Sequence, residues 1–125
     1  MTSKTTVLLC DDSRAMRTMT ASILEEHGLS VVGEAEDGLA AIAQYKATRP
    51  DVVLLDLVMP KMTGQGALRE ILDFDPEAVV IVLSSLGAQG DIEKCLRLGA
   101  KSYLQKPIET EALIRVIKEA IGSGG

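Results

Sequence analysis

The chain has 125 residues, 46% of them hydrophobic and 25% charged, which is ordinary for one soluble globular domain with a full core. Its formal net charge of -5 argues against a broad nucleic-acid or anionic-membrane surface, because both want an excess of Lys and Arg. A local basic patch stays open.

In chain order, the first apolar run is TVLLC at 6–10. It is too short for a signal-peptide core or a membrane span and reads as a strand. Cys10 ends it and is expected to be a buried free thiol. Cys95 lies far away in sequence, so the two form no metal-spaced motif, and a reducing cytoplasm fits. Residues 14–27 place Met16, Met19, Ile23 and Leu24 at helical spacing, with Ser13 or Asp12 as N-cap and Gly28 as the stop. His27 falls in the last turn, where a cation is favourable, and reads as a cap or surface residue.

A second strand is expected at 30–33 and a helix at 38–47, which carries Leu39, Ile42 and Ala43 after Asp37. The third strand, 52–55, runs straight into Asp56. A helix over 64–73 carries Ala67, Leu68, Ile71 and Leu72. The fourth strand, 79–83, precedes a helix over 88–98 with Ile92, Cys95 and Leu96, closed by Gly99. The fifth strand, 102–104, precedes a helix over 110–121 with Leu113, Ile114, Ile117 and Ile121, opened by Thr110 or Glu109 and closed by Gly122. Residues 1–121 are expected to form one domain and 122–125 a flexible tail.

Five strand–helix repeats whose strands are continuously apolar predict an α/β fold. It is an open, doubly wound parallel sheet covered by helices on both faces. In such sheets ligands bind beyond the carboxyl ends of the strands. Asp11 and Asp12 follow the first strand, Asp56 the third, Ser84 the fourth, and Lys106 with Pro107 the fifth. Three carboxylates that converge on one rim repel one another and need a cation. Hard oxygen donors with no Cys or His beside them suit Mg²⁺ rather than zinc. A carboxylate beside Mg²⁺ can attack a phosphoryl group, and Lys106 with the Ser84 hydroxyl could hold its oxygens.

The segments CDDS, LLDLVMPKMTG, VLSS and YLQKP, in that order at the ends of successive strands, resemble the CheY-like receiver domain of two-component response regulators. The resemblance covers residues 5–121. It implies a five-stranded sheet of order 2-1-3-4-5, with Asp56 as phosphoacceptor. Asp11 and Asp12 become Mg²⁺ ligands, and the backbone carbonyl of Val58 a further one. It also implies that Lys106 assists phosphoryl transfer and precedes a cis peptide bond to Pro107. Ser84 and Tyr103 take the switch positions. Implied partners are a histidine kinase or phosphotransfer protein, and a downstream target on the face of the fourth helix, fifth strand and fifth helix. No direct nucleic-acid or membrane contact and no turnover of a foreign substrate are expected. Residues Val58 and Leu86 flank the approach of water in this family, and being apolar they imply slow loss of the phosphoryl group.

Each residue also has a plainer reading. Asp11–Asp12–Ser13 is a good helix cap, Lys106 an ordinary surface lysine, Asp56 an N-cap and Tyr103 a core aromatic. GQGALR at 64–69 is half a dinucleotide fingerprint in the wrong place. Two other phosphate-handling functions compete. A haloacid-dehalogenase-like phosphatase would need a second aspartate where Val58 stands. A flavodoxin-like carrier would need a Ser/Thr/Gly-rich loop where DDSRAM stands. Whether the receiver stands alone or was cut from a longer chain stays open.

Overall fold

The computed structural model describes residues 4–85 and 89–122. Ten elements alternate along it: β1 (Thr6–Cys10), α1 (Arg14–Glu26), β2 (Ser30–Ala35), α2 (Gly38–Thr48), β3 (Val52–Asp56), α3 (Gly64–Phe74), β4 (Val80–Ser84), α4 (Gln89–Leu98), β5 (Ser102–Gln105) and α5 (Thr110–Gly122). The strands form one sheet of order β2-β1-β3-β4-β5, and every pair is parallel. This is the expected fold, with element ends within a residue or two of the expected ones for most elements.

Alternation along the strands sorts their side chains into two cores. Leu8, Cys10, Val53, Leu55, Val80 and Val82 face one way, onto Ala41 and Tyr45 of α2, Leu68 and Ile71 of α3 and Cys95 of α4. Val7, Leu9, Val52, Leu54, Ile81 and Leu83 face the other way, onto Leu24 of α1 and Leu113 and Ile117 of α5. Both faces of β3 and β4 are buried throughout. The two edge strands depart from the expectation of full cover. β2 leaves Val32 and Glu34 exposed, and β5 leaves Tyr103 exposed, because each has a neighbour on one side only.

Side-chain caps start the helices. Ser13 Oγ accepts from the Met16 N–H at 3.2 Å, and Asp37 Oδ1 from the Ala40 N–H at 2.8 Å. So Ser13, not Asp12, caps α1. Its other end closes on His27, whose Nδ1 lies 2.9 Å from the Ile23 carbonyl, and on Gly28 at φ +83. Gly99 closes α4 at φ +125, whereas α5 still includes Gly122. Cys10 and Cys95 are buried free thiols. Among the described residues, no helix is long and apolar enough to cross a membrane.

α2 ends without a glycine. Arg49 takes the left-handed conformation, φ 45, which costs a side-chain-bearing residue energy unless its surroundings hold it. Its N–H donates to the Tyr45 carbonyl at 2.9 Å, and its guanidinium lies 4.7 Å from the Phe74 ring centre and 3.5 Å from Asp75. Beside it the buried Tyr45 hydroxyl donates to Asp75 Oδ2 at 2.7 Å, tying α2 to α3. That hydrogen bond, with the Glu77 N–H, holds the Asp75 carboxyl below its usual range. A carboxyl lowered in the folded state stabilises the fold above its unfolded value, and the contribution is lost as pH falls through the folded one. Tyr45→Phe is therefore expected to be less stable than wild type at neutral pH. The gap should close on acidification below the ordinary carboxylate range, about pH 3 to 4. Urea denaturation at neutral pH and again below about pH 3 checks this, and a gap independent of pH would exclude the Asp75 contact as its cause.

Candidate functional site

Four strands deliver polar groups to one rim because each apolar run ends there. Asp56 is the last residue of β3 and Ser84 the last of β4, while Asp11 follows β1 and Lys106 follows β5. Backbone bonds carry the sheet just past these ends. The Asp11 N–H donates to the Ala35 carbonyl at 3.0 Å, Leu57 to Leu83 at 3.1 Å, and Lys106 to Ser84 at 2.8 Å. The functional side chains thus hang from fixed backbone rather than from free loops.

Oxygens of Asp11, Asp12 and Asp56 lie within 4.8 Å of one another. Asp11 and Asp56 are buried, at 6% and 4% exposure, and Asp12 is exposed. Lys106 Nζ bridges the buried pair, 3.2 Å from Asp11 Oδ2 and 3.0 Å from Asp56 Oδ2. The remaining oxygens are held locally, Asp11 Oδ1 by the Ser13 N–H at 2.9 Å and Asp56 Oδ1 by the Val58 N–H at 3.1 Å. Three carboxylates against one ammonium leave an excess of two negative charges in a half-closed space. The donor set is all hard oxygen and could hold a divalent cation of the magnesium kind.

The model of the response regulator receiver domain matches residues 7–118. The chain belongs to that family. This receiver is CheY-like and implies two-component signalling. It is 39% identical to the chemotaxis protein CheY of Listeria monocytogenes over 91% of the chain and 96% of that protein. With CheY of Thermotoga maritima it shares 36% identity over 90% and 94%. Among solved structures, it superposes on the CheX–CheY–BeF₃–Mg²⁺ complex of Borrelia burgdorferi with a TM-score of 0.88 and 33% identity, covering 92% of this chain and 87% of that one.

Burial pushes the Asp56 carboxyl above its usual value, and the Lys106 hydrogen bond and Val58 N–H pull it back without cancelling the effect. Lys106 loses hydration too, yet its contacts with Asp56 and Asp11 outweigh that, so its ammonium binds its proton more tightly than usual. The two directions have different origins: loss of hydration raises Asp56, with the Asp11 charge a small addition, while the neighbouring carboxylates raise Lys106.

The structure brings Asp11, Asp12, Asp56, Lys106 and the Val58 backbone together, and the Lys106–Pro107 bond is cis. Ser84 stands at the rim with its Oγ buried and, among the described residues, without a partner. It lines an open cavity with Val58 and Met59. Tyr103 lies within β5, three residues before Lys106. It is 42% exposed on β5, which corrects the plain core reading and follows from the edge position of the strand. Leu86 lies outside the described residues.

Two supporting residues escaped the sequence reading. Arg17 Nη1 donates to the carbonyl of Asp11 while its Nε pairs with Glu34 at 2.9 Å, pinning the acidic turn from α1. Gly64, the first residue of α3, packs on the backbone beside Asp56. A Cβ there would overlap the Asp56 carbonyl oxygen and lie 2.6 Å from Leu57 Cα. The glycine of MPKMTG could have signalled a close approach; nothing in RAMR marks its second arginine.

A buried carboxyl whose protonation is easier folded than unfolded stabilises the fold below its unfolded value. That stabilisation is lost as pH rises through the raised folded value. Without divalent metal, Asp56→Asn is therefore expected to melt above wild type at neutral pH, with the difference shrinking on acidification. Thermal unfolding in chelator measures it. A variant less stable than wild type at neutral pH would mean that the Lys106 ion pair outweighs burial.

Proposed function

We propose that this receiver is a phosphorylation-driven switch that accepts a phosphoryl group on Asp56 from a phosphohistidine of a kinase or phosphotransfer protein. The observation that carries this is the placement of Asp56. One carboxylate, buried at the end of an apolar strand, faces an ammonium at 3.0 Å and has oxygens of two further carboxylates within 4.8 Å. As a merely structural aspartate it would need a single counter-ion, and the crowding would only cost stability.

Asp11, Asp12, Asp56 and the Val58 carbonyl would hold Mg²⁺, which would supply charge neutralisation for the carboxylates and the incoming phosphoryl oxygens. Asp56 attacks phosphorus through a carboxylate oxygen, the phosphorus–nitrogen bond of the donor breaks, and the imidazole leaves with its electron pair and takes up a proton. Lys106 is already held at the Asp56 oxygen and would turn to a phosphoryl oxygen. The Ser84 Oγ, which has no partner among the described residues, could donate its hydrogen to another. These residues serve the protein's own modification and no foreign substrate. The phosphatase alternative lacks an acid–base group, since Val58 has no titratable side chain. Residues 1–121 form the receiver in this reading, and its output is a partner surface on α4, β5 and α5.

Incubation with acetyl phosphate and Mg²⁺ should add one phosphoryl group, labile to hydroxylamine and lost in Asp56→Asn. Asp12→Ala should abolish both Mg²⁺ binding and labelling. Intact mass spectrometry and calorimetry decide these. A hydroxylamine-stable label, or wild-type Mg²⁺ affinity in Asp12→Ala, would sink the assignment.

The same site sets the lifetime of the modification. Val58 is 72% exposed over the rim and carries no hydrogen-bonding side chain to orient an attacking water. Val58→Asn should shorten the phosphoryl half-life by about an order of magnitude, within the range general for positioning effects. Decay after removal of acetyl phosphate measures it, and an unchanged rate would assign the clock to another group.

A further inference from the structure

The segment between Asp56 and α3 is gripped from outside the acidic rim. Gly38 opens α2, a helix that contributes no residue to that rim. A Cβ at Gly38 would overlap the carbonyl oxygen of Met62 and lie 2.6 Å from the Met62 Cβ. The helix start therefore rests directly on the backbone of the β3–α3 loop, with no space for a side chain between them.

Two more contacts tie the same pieces together. Asp37 is 6% exposed, and while its Oδ1 caps α2, its Oδ2 faces the Lys61 ammonium at 3.6 Å. Lys61 itself holds φ 67, the left-handed conformation that a lysine adopts only where its surroundings retain it. Next to it the Met62 N–H donates to the Pro60 carbonyl at 2.7 Å, closing a tight turn. On the inner side Gly64 N–H donates to the Leu57 carbonyl at 3.0 Å. The loop is thus clamped between α2 outside and the β3–α3 junction inside. Only three residues separate Met62 from Val58, and one of them is Pro60, whose φ is fixed by its ring. So short and stiff a segment passes a displacement at Met62 on to Val58.

We infer that the start of α2, through Gly38, is a positioning element for the acceptor site, which rests on the reading of Asp56 and the Val58 carbonyl given above. Its contact with Met62 fixes where the Val58 backbone stands against Asp56. The Val58 N–H holds Asp56 Oδ1 at 3.1 Å, so the loop sets both the orientation of the acceptor carboxylate and the place of the carbonyl beside it. Gly38 touches none of the reacting atoms and acts through Met62.

The test compares Gly38→Ala with Gly66→Ala. Alanine is the better helix former at both positions. At Gly66 a Cβ would meet side chains and no backbone: the flexible Met62, 3.0 Å from Cγ, and Thr63 Oγ1 at an ordinary contact distance of 3.5 Å. Two quantities are read: the Val58 amide resonance with its hydrogen exchange in metal-free protein, and Mg²⁺ affinity by calorimetric titration. Gly38→Ala should shift the Val58 amide, speed its exchange and weaken Mg²⁺ binding about tenfold, while Gly66→Ala stays within about twofold of wild type, as outer-shell supports of metal sites behave. A Gly38→Ala protein with an unmoved Val58 amide, or a Gly66→Ala protein equally changed, would overturn the inference.

If Gly38→Ala does not fold, Lys61→Asn takes its place, since asparagine accepts the left-handed conformation. Loss of a positive charge alone would tighten Mg²⁺ binding, and loss of the clamp would weaken it. Weaker binding supports the positioning role; equal or tighter binding overturns it. Should the wild type bind no Mg²⁺, the acceptor-site reading fails, while the metal-free Val58 amide still decides the role of Gly38.

Discussion

Crowded negative charge at the end of the sheet is the constraint that the rest of the molecule answers. Asp11 and Asp56 are nearly closed to solvent, with Asp12 beside them and a single lysine between. Such a cluster is stable only where its oxygens are held by fixed donors and where the surrounding fold has stability to spare. The Ser13 and Val58 amides hold one oxygen of each buried carboxylate, and Lys106 holds the other. The two layers of apolar packing on either face of β1, β3 and β4 provide the rigidity. Charge and core are therefore one design: the same strands that are apolar over four residues end in the groups that would be intolerable inside them.

Most of this was legible in the sequence. Continuous apolar strands, helical spacing between them and terminating glycines gave five alternating pairs, because burial on two faces leaves a periodicity that needs no knowledge of the partner strand. The acidic pair, Asp56, Ser84 and Lys106 were legible because parallel topology sends successive carboxyl ends to one side. What stayed hidden depends on contacts between elements distant in the chain. The left-handed Arg49 has no glycine to announce it and is held by Phe74 and Asp75, more than twenty residues away. Arg17 reads as one more helix-surface cation until its reach to the Asp11 carbonyl is seen. Gly38 and Gly64 read as helix-start glycines, and only the folded chain reveals the backbone each one touches.

The exposure of Tyr103 separates two notions that the sequence had merged. An aromatic on an apolar strand is a core residue by composition, but β5 is an edge, and the ring lies outside. In the proposed switch, the backbone between β4 and β5 offers a link between Ser84 and Tyr103. The register allows this: Val82 pairs with Tyr103, Ser84 pairs with Gln105, and the Lys106 N–H bonds to the Ser84 carbonyl.

A phosphoryl group can shift such a protein only by the difference in its interaction with two states. The Ser84 hydroxyl is a physical source of that difference. It is buried and, among the described residues, without a partner, a condition that costs free energy and that few polar groups in a folded interior tolerate. A new acceptor oxygen at Asp56 would reward whichever arrangement of the β4 end lets the hydroxyl donate to it. Lys106 would be drawn the same way, since its present partners are the two carboxylates whose charge the new group changes. Because its N–H is bonded to Ser84, the ends of β4 and β5 would move together. The strand that carries Tyr103 is thus attached to the site at two points, a side chain and a backbone bond. An edge strand, free of a neighbour on its outer side, is the strand of the sheet whose displacement breaks the fewest hydrogen bonds.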